Sequence, residues 1–514
     1  MKTFKLITAG TIALLACSAA SAFTEITITG STAFRNAVVD SCKKILQNSA
    51  SGTAAGTNGD YVWGSVGNNQ QLFVGTTLAT LGGGAASQQV VIKLSWSGSA
   101  GGVQSVAQQI APGQAFIIDP NAGINFTPGH GNPVVASIGA GLNLQNLTNA
   151  GIAVLAANQT DLTTKCDCAM SDAYIESTPY STGVAPNFPI TSQAVGIVPF
   201  VWVGGGYTTD GGTTLNSGLY PGVSNLTIDQ AQELLSGGLQ LSQITGNPAD
   251  AATGVFCVGR DHDSGTRIAA EYDSQLNGDI YFGATTGYST VVLQYIPNGG
   301  TINGDGAPWP HTPYHQFDAQ SAGAANLVIS ELDPWPLENV LGELRGAPLT
   351  APGDEGWFSG GVVANTLKRP GDINGLVSGN PVYVISYLGL SDSFSVNGAA
   401  VGYNYVDGAG QTDVIKPSQN ALLWQGVFPG TAAHPFGPPY ANIENGEYSF
   451  WGVEHFVHLK SLAGVKLSLA NAVAKQITTE ADFGGTGDLL NNMQVFRGGD
   501  GAPIVPGNAA SYTE

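Results

Sequence analysis

Apolar and polar residues alternate along Glu25-Ile26-Thr27-Ile28-Thr29 with the period of a strand. This stretch runs into Gly30-Ser31-Thr32-Ala33-Phe34. Ala37-Val38-Val39 and Lys43-Lys44-Ile45-Leu46 then recur at helical spacing. The pattern predicts a strand that turns through small, hydroxyl-bearing residues into a helix. The same order returns at Gln89–Trp96, a second predicted strand. It ends in Ser97-Gly98-Ser99-Ala100-Gly101-Gly102, and a helix is expected over Val103–Gln109. A third junction is Gly259-Arg260-Asp261-His262-Asp263-Ser264-Gly265-Thr266-Arg267. Here Ile268-Ala269-Ala270-Glu271-Tyr272 reads as the helix, with Ser264-Gly265-Thr266 on its first turn. The first N–H groups of a helix lack partners inside it and carry the positive end of its dipole, so each junction can take an anion. Three of them in one chain suggest several helix ends aimed at a single ligand.

Elsewhere the periodicity is plainer. Asp167–Ala173 places a carboxylate after a short apolar run, and Ala194–Val203 is a continuous apolar segment that reads as a buried strand crossing between lobes. Thr227 with Gln230 forms a capping box, Leu234 and Leu235 lie on the buried face of the helix it opens, and Gly237-Gly238 should stop that helix. Another helix is expected over Ser359–Leu367, a strand over Val382–Leu388, and a last long helix over about Val453–Lys475. Residues 105–165, 273–350 and 402–440 are rich in Gly, Asn and Pro with little periodicity, and read as insertions. Strands alternating with helices make this an α/β chain.

Charge narrows the partners. The 514 residues carry 17 Lys+Arg against 37 Asp+Glu, a formal charge of −20, which excludes the basic surface that a nucleic-acid partner requires. Arg260 supplies a planar, permanently charged fork suited to an oxyanion, and Asp263 is placed to cap the following helix or to hold that arginine. The N-terminus reads as an export signal: Lys2 and Lys5, then an apolar run from Leu6 to Ala16, then Ala20-Ser21-Ala22 as the cleavage site. The run is too short for a membrane span. Cleavage after Ala22 would remove both lysines and carry the charge from −20 to −22. Leu14-Leu15-Ala16-Cys17 resembles a lipobox, which leaves a lipid anchor at Cys17 as the alternative. Beyond Cys17, an exported chain holds an even set, Cys42, Cys166, Cys168 and Cys257, all candidate disulfide partners with no pairing specified. Cys166-Asp-Cys168 lacks the second ligand pair that a zinc site needs.

Taken in order, these stretches resemble the periplasmic phosphate-binding proteins that serve ABC-type phosphate importers. Gly30–Phe34 looks like that family's first phosphate loop, though shorter, so either Thr32 or Ala33 could take the place of the family's threonine. Gly98-Ser99-Ala100-Gly101-Gly102-Val103-Gln104 looks like the second loop, with Ser99 at the ligand-binding serine. Asp172 falls where the family's aspartate accepts the ligand's proton. Arg260-Asp261-His262-Asp263-Ser264-Gly265-Thr266 matches Arg-x-x-Asp-Ser-Gly-Thr. The resemblance implies a two-lobed Venus-flytrap fold with Gly-rich loop insertions, one lobe formed by 23–198 and 448–514 and the other by 199–447. It implies phosphate contacts from Ser31, Thr32, Ala33, Phe34, Ser99, Asp172, Arg260, Ser264, Gly265 and Thr266, with Gly98 and Asp263 in support. It further implies inorganic phosphate and an ABC permease as partners, a monomer, no cofactor, no metal and no catalysis.

Two rival classes stand beside it. A serine hydrolase would need a base and an orienting acid near its nucleophile. His262 shares a loop with Ser264, and no Gly-x-Ser-x-Gly elbow is present. His311-Thr-Pro-Tyr-His315 has ligand-like spacing broken by its proline, and Glu454-His455-Phe456-Val457-His458 reads as an amphipathic helix with partly exposed imidazoles. The remaining rival is an envelope or cell-surface interaction protein that reuses the same fold, favoured by the size of the insertions; a phosphatase is the lesser one.

Overall fold

A computed structural model of the chain describes residues 24–46, 61–66, 70–109, 116–117, 160–161, 164–178, 189–209, 214–235, 239–260, 264–276, 291–293, 332–334, 359–368 and 382–512. The export signal with Cys17, Gly237-Gly238, His311-Thr-Pro-Tyr-His315 and most of the first two insertions lie outside them.

One mixed sheet organises the molecule. Its nine strands are β1 (Thr24–Gly30), β2 (Tyr61–Val66), β3 (Gln70–Thr76), β4 (Gln89–Ser95), β5 (Cys168–Ser171), β6 (Ile190–Gly204), β7 (Gly254–Cys257), β8 (Val382–Gly389) and β9 (Trp451–Leu459). They lie in the order β7-β8-β6-β9-β5-β1-β4-β3-β2. β1 runs parallel to both β4 and β5. The alternation seen at Glu25–Thr29 therefore occurs in a central strand, buried on both faces from Ile26 onward. The apolar run at Ala194–Val203 lies within β6, fifteen residues long, which changes partners along its length. From Ile190 to Pro199 it pairs antiparallel with β9; from Phe200 to Gly204 it pairs antiparallel with β8. A strand shared in this way carries the sheet from one α/β half into the other. One apolar core runs through both halves, and Trp202, Trp424 and Phe450 gather at the handover with ring centroids 5.6 to 6.0 Å apart.

The main helices are α1 (Arg35–Ile45), α2 (Ser99–Gln108), α3 (Ile228–Leu235), α4 (Gly265–Asp273), α5 (Gly360–Leu367) and α6 (Gly464–Glu480). The capping box forms as expected: Thr227 N donates to Gln230 Oε1 at 3.0 Å, and Gln230 N donates to Thr227 Oγ1 at 3.2 Å. No described helix is long and apolar enough to cross a membrane.

Three expectations need correction. The last helix was expected over Val453–Lys475, but Trp451–Leu459 is a strand and α6 begins only at Gly464. Trp, Val, His and Phe suit a strand that is covered on both faces between β6 and β5, and this packing overrides the weak helical periodicity. Glu454 and His455 are accordingly buried, not set on a helix surface. Residues 402–440 are not an unpatterned loop. Tyr403–Val406 and Thr412–Ile415 form a hairpin that docks on the C-terminal segment, where Gly408 N and the Tyr405 hydroxyl both donate to Asp482 Oδ2, at 2.6 and 3.1 Å. The candidate disulfide partners Cys42, Cys166, Cys168 and Cys257 are buried and unbridged. They pack as small apolar side chains, Cys166 in a different core cluster from the other three, and burial pushes the thiols of Cys42, Cys168 and Cys257 up, away from reactivity.

Candidate functional site

The three junctions found in the sequence meet at Asp172, just past β5: the loops after β1 and β4 lie against its strand end, and the first turn of α4 packs on it from the other half. Gly30 takes a φ of +107°, and a Cβ there would fall 2.0 Å from Met170 O. Its lack of a side chain lets Ser31 N donate to Met170 O at 2.9 Å, which ties the loop after β1 to the end of β5. Gly98 N donates to Gly30 O at 3.0 Å, and Gly102 lies so close that its own Cβ would sit 2.6 Å from Gly30 Cα. Backbone approach at these glycines brings Ser31, the first turn of α2 and Asp172 together.

Asp172 sits at the centre. It is buried, and the Ser99 hydroxyl donates to its Oδ1. The Thr266 hydroxyl, from the other half, donates to its Oδ2 at 3.3 Å. Gly265 packs directly on the carboxylate. Burial pushes the Asp172 carboxyl above its ordinary range, while the Ser99 hydroxyl, the Arg260 charge and Thr266 pull it back. Ser264 caps α4, its hydroxyl accepting from Arg267 N at 3.3 Å. The N-termini of α2 and α4 thus converge on one carboxylate from opposite halves.

Arg260 is buried beside this group and held by its backbone: its N–H donates to the Tyr387 hydroxyl at 3.1 Å, and Arg267 Nη1 donates to its carbonyl at 3.4 Å. Arg267 is itself fixed by Glu271, Nε to Oε1 at 2.7 Å. Asp261, His262 and Asp263 lie outside the described residues. The structure instead brings in a carboxylate that sequence reasoning did not find. Asp392 packs against Gly360 at the start of α5, where a Cβ would meet its Oδ2 at 2.1 Å. Burial pushes Asp392 up, and the charges of Arg35 and Arg260 oppose it.

In the first loop, the Ser31 hydroxyl accepts from Ala33 N at 3.1 Å, and Thr32 and Ala33 are half-buried. The Phe34 ring turns away into the core, where Gly196 and Gly487 leave room for it. Phe34 can therefore offer a ligand its backbone, not its ring. Sequence reasoning also missed Glu454 of β9, which is fully buried beside Ser31 and Asp172. Its only sequence signal was a lone acid among Val, Phe and Trp, a pattern more typical of a sheet core than of a solvated helix.

No protein-family profile matches the chain, and no curated protein matches it. Solved structures do. The chain is similar to an ABC-type phosphate transport receptor from Vibrio cholerae, at 12% identity and a TM-score of 0.32, over 89% of this chain and 98% of that one. It is similar to PstS from Borrelia burgdorferi, at 11% identity and a TM-score of 0.28, over 88% and 97%. It is also similar to a phosphate-binding protein from Stenotrophomonas maltophilia, at 11% identity and a TM-score of 0.32, over 95% and 92%.

Proposed function

We propose that the protein is an extracytoplasmic solute-binding protein that captures inorganic phosphate between its two halves and delivers it to an ABC importer. The observation that carries this reading is Asp172, a buried carboxylate met by a hydroxyl from each half and by the first turns of α2 and α4, with Arg260 alongside. Unpaired helix N–H groups and hydroxyls suit a dehydrated oxyanion, and Arg260 supplies the countercharge. The carboxylate supplies the selection. Phosphate keeps at least one proton at neutral pH and can donate it to Asp172, whereas sulfate has none to give. Sulfate against a buried carboxylate would be unpaired and repelled by several kcal/mol, about a thousandfold in affinity. The net charge of −20 does not oppose this, because local dipoles and hydrogen bonds decide a dry site.

In this reading the halves close over the ligand by a hinge at the handover of β6, the role is binding and not catalysis, and the location is the periplasm or the cell exterior. The test is calorimetric titration of the protein, freed of bound ligand by unfolding and refolding, with phosphate and then sulfate. Tight phosphate binding with sulfate silent is expected. A folded protein that binds neither anion would end the phosphate reading and leave the interaction-protein alternative. Delivery to an importer predicts loss of phosphate uptake at low external phosphate when the protein is removed.

A further inference from the structure

Glu454 is buried beside Asp172 with no exposed surface. Among the described residues neither of its carboxyl oxygens makes a well-formed hydrogen bond, although the Ser31 hydroxyl lies beside them. A buried polar group left unpaired costs free energy and calls for an explanation. Its place in the sheet offers one. β9 pairs with β5 so that His455 lies opposite Ser171, which brings Glu454 alongside Asp172. Two residues earlier, Gly452 packs so closely that a Cβ there would lie 2.5 Å from Asp172 O. On the other edge the register with β6 slips between Glu454, opposite Gly196, and His455, opposite Ala194. A bulge at that point re-aims the side chains on either side of it, and such bulges favour binding sites.

We propose that Glu454 is a ligand-facing member of the phosphate chamber that presents its carboxyl as a hydrogen-bond donor to an oxygen of the bound anion. This rests on the phosphate reading given above. Groups around it fit a neutral acid. Asp172 faces it from the end of β5 with a like charge, the loop after β1 contributes the Ser31 hydroxyl, β6 contributes Gly196 between apolar neighbours, and Arg260 and Thr266 act on Asp172. Burial first, and then the Asp172 charge, push the Glu454 carboxyl well above its ordinary range, with Ser31 opposing. Two adjacent carboxylates and a phosphate could not all stay ionised in a dry chamber. A neutral Glu454 instead gives the chamber both hands of recognition. Asp172 takes the proton that phosphate carries, and Glu454 donates its own to another phosphate oxygen. Ionisation of Glu454 removes that donor and adds a repelling charge, so binding weakens in alkali by more than the ligand's own titration requires.

Calorimetric titration with inorganic phosphate from pH 6 to pH 9.5 tests this on wild type, Glu454→Gln and Glu454→Met, each checked for folding by circular dichroism. Glu454→Gln keeps a donor that does not titrate. It should bind within about threefold of wild type at pH 7 and lose less affinity towards pH 9.5. Glu454→Met removes the donor and should weaken binding roughly ten- to hundredfold, the size of one hydrogen bond to a charged group. If wild type binds phosphate and Glu454→Met binds equally well, Glu454 is only structural and this proposal alone fails. A Glu454→Gln profile that superimposes on wild type in alkali overturns it too, even should Glu454→Met not fold. If wild type binds no phosphate, the phosphate reading itself has failed and takes this proposal with it.

Discussion

Replacing Gly265 by alanine is the sharpest perturbation of the site. A Cβ at this position would lie 1.8 Å from Asp172 Oδ1 and 2.7 Å from Ser99 Oγ. Ordinary contact is well beyond 3 Å, so the carboxylate must leave its place. Gly265 has no positive φ and opens α4, so alanine suits the backbone and gains up to about 1 kcal/mol of helix propensity over glycine. The damage is therefore confined to the chamber. Displacing Asp172 breaks its bonds from the hydroxyls of Ser99 and Thr266. In the phosphate reading, moving the carboxylate forfeits the ligand's own bond to Asp172 and disturbs its bond to the first turn of α4; two charge-assisted bonds at about 1.5–3 kcal/mol each are worth about 3–6 kcal/mol of binding. At 1.4 kcal/mol per tenfold, phosphate affinity should fall by about two to four orders of magnitude. Calorimetric titration measures the loss, and a thermal melt shows that the fold is kept. Gly361→Ala is the control, because its Cβ would meet Ser359 Oγ at 3.4 Å and Asp392 Oδ1 at 3.6 Å, ordinary contact distances. A folded Gly265→Ala protein that binds phosphate within about threefold of wild type would show that Asp172 and the start of α4 do not form the binding chamber.

Two further outcomes follow from the same geometry. Asp172→Asn keeps the size of the side chain but can no longer accept the ligand's proton as a carboxylate, so the preference for phosphate over sulfate should narrow by at least about tenfold in parallel titrations; an unchanged ratio would place Asp172 outside the site. Stability should rise as pH falls from about 8 towards 5. Burial pushes the carboxyls of Glu271, Asp273 and Asp488 up to about 7 and that of Asp500 up to about 6. The folded chain then binds protons more tightly than the unfolded chain across that window, and the destabilisation is full only above the folded values. Melting temperatures measured through a pH series check the sign, and a midpoint that climbs steadily into alkali would contradict it.

Short-range physics made much of this protein legible from its sequence. Alternation at Glu25–Thr29, the apolar run at Ala194–Val203 and the capping pair of Thr227 and Gln230 each became the element they predict, because strand, buried strand and helix start depend on neighbours a few residues apart. The Ser/Gly turns before α1, α2 and α4 were visible for the same reason. What a sequence window does not hold is which distant strand lies alongside. Trp451–Leu459 became a strand because β6 and β5 pair along both of its edges, and Glu454 came to lie beside Asp172 because its neighbour His455 is in register with Ser171. Asp392, just past β8, reached Arg260's neighbourhood because β8 pairs with β7, the strand that leads to Arg260. The four cysteines are buried in the core and form no disulfide, which no sequence window could have told. Local pattern determined the Ser/Gly turns and helix starts; the tertiary fold decided which carboxyls stand beside them, since burial and like-charge contact exist only once remote strands have met.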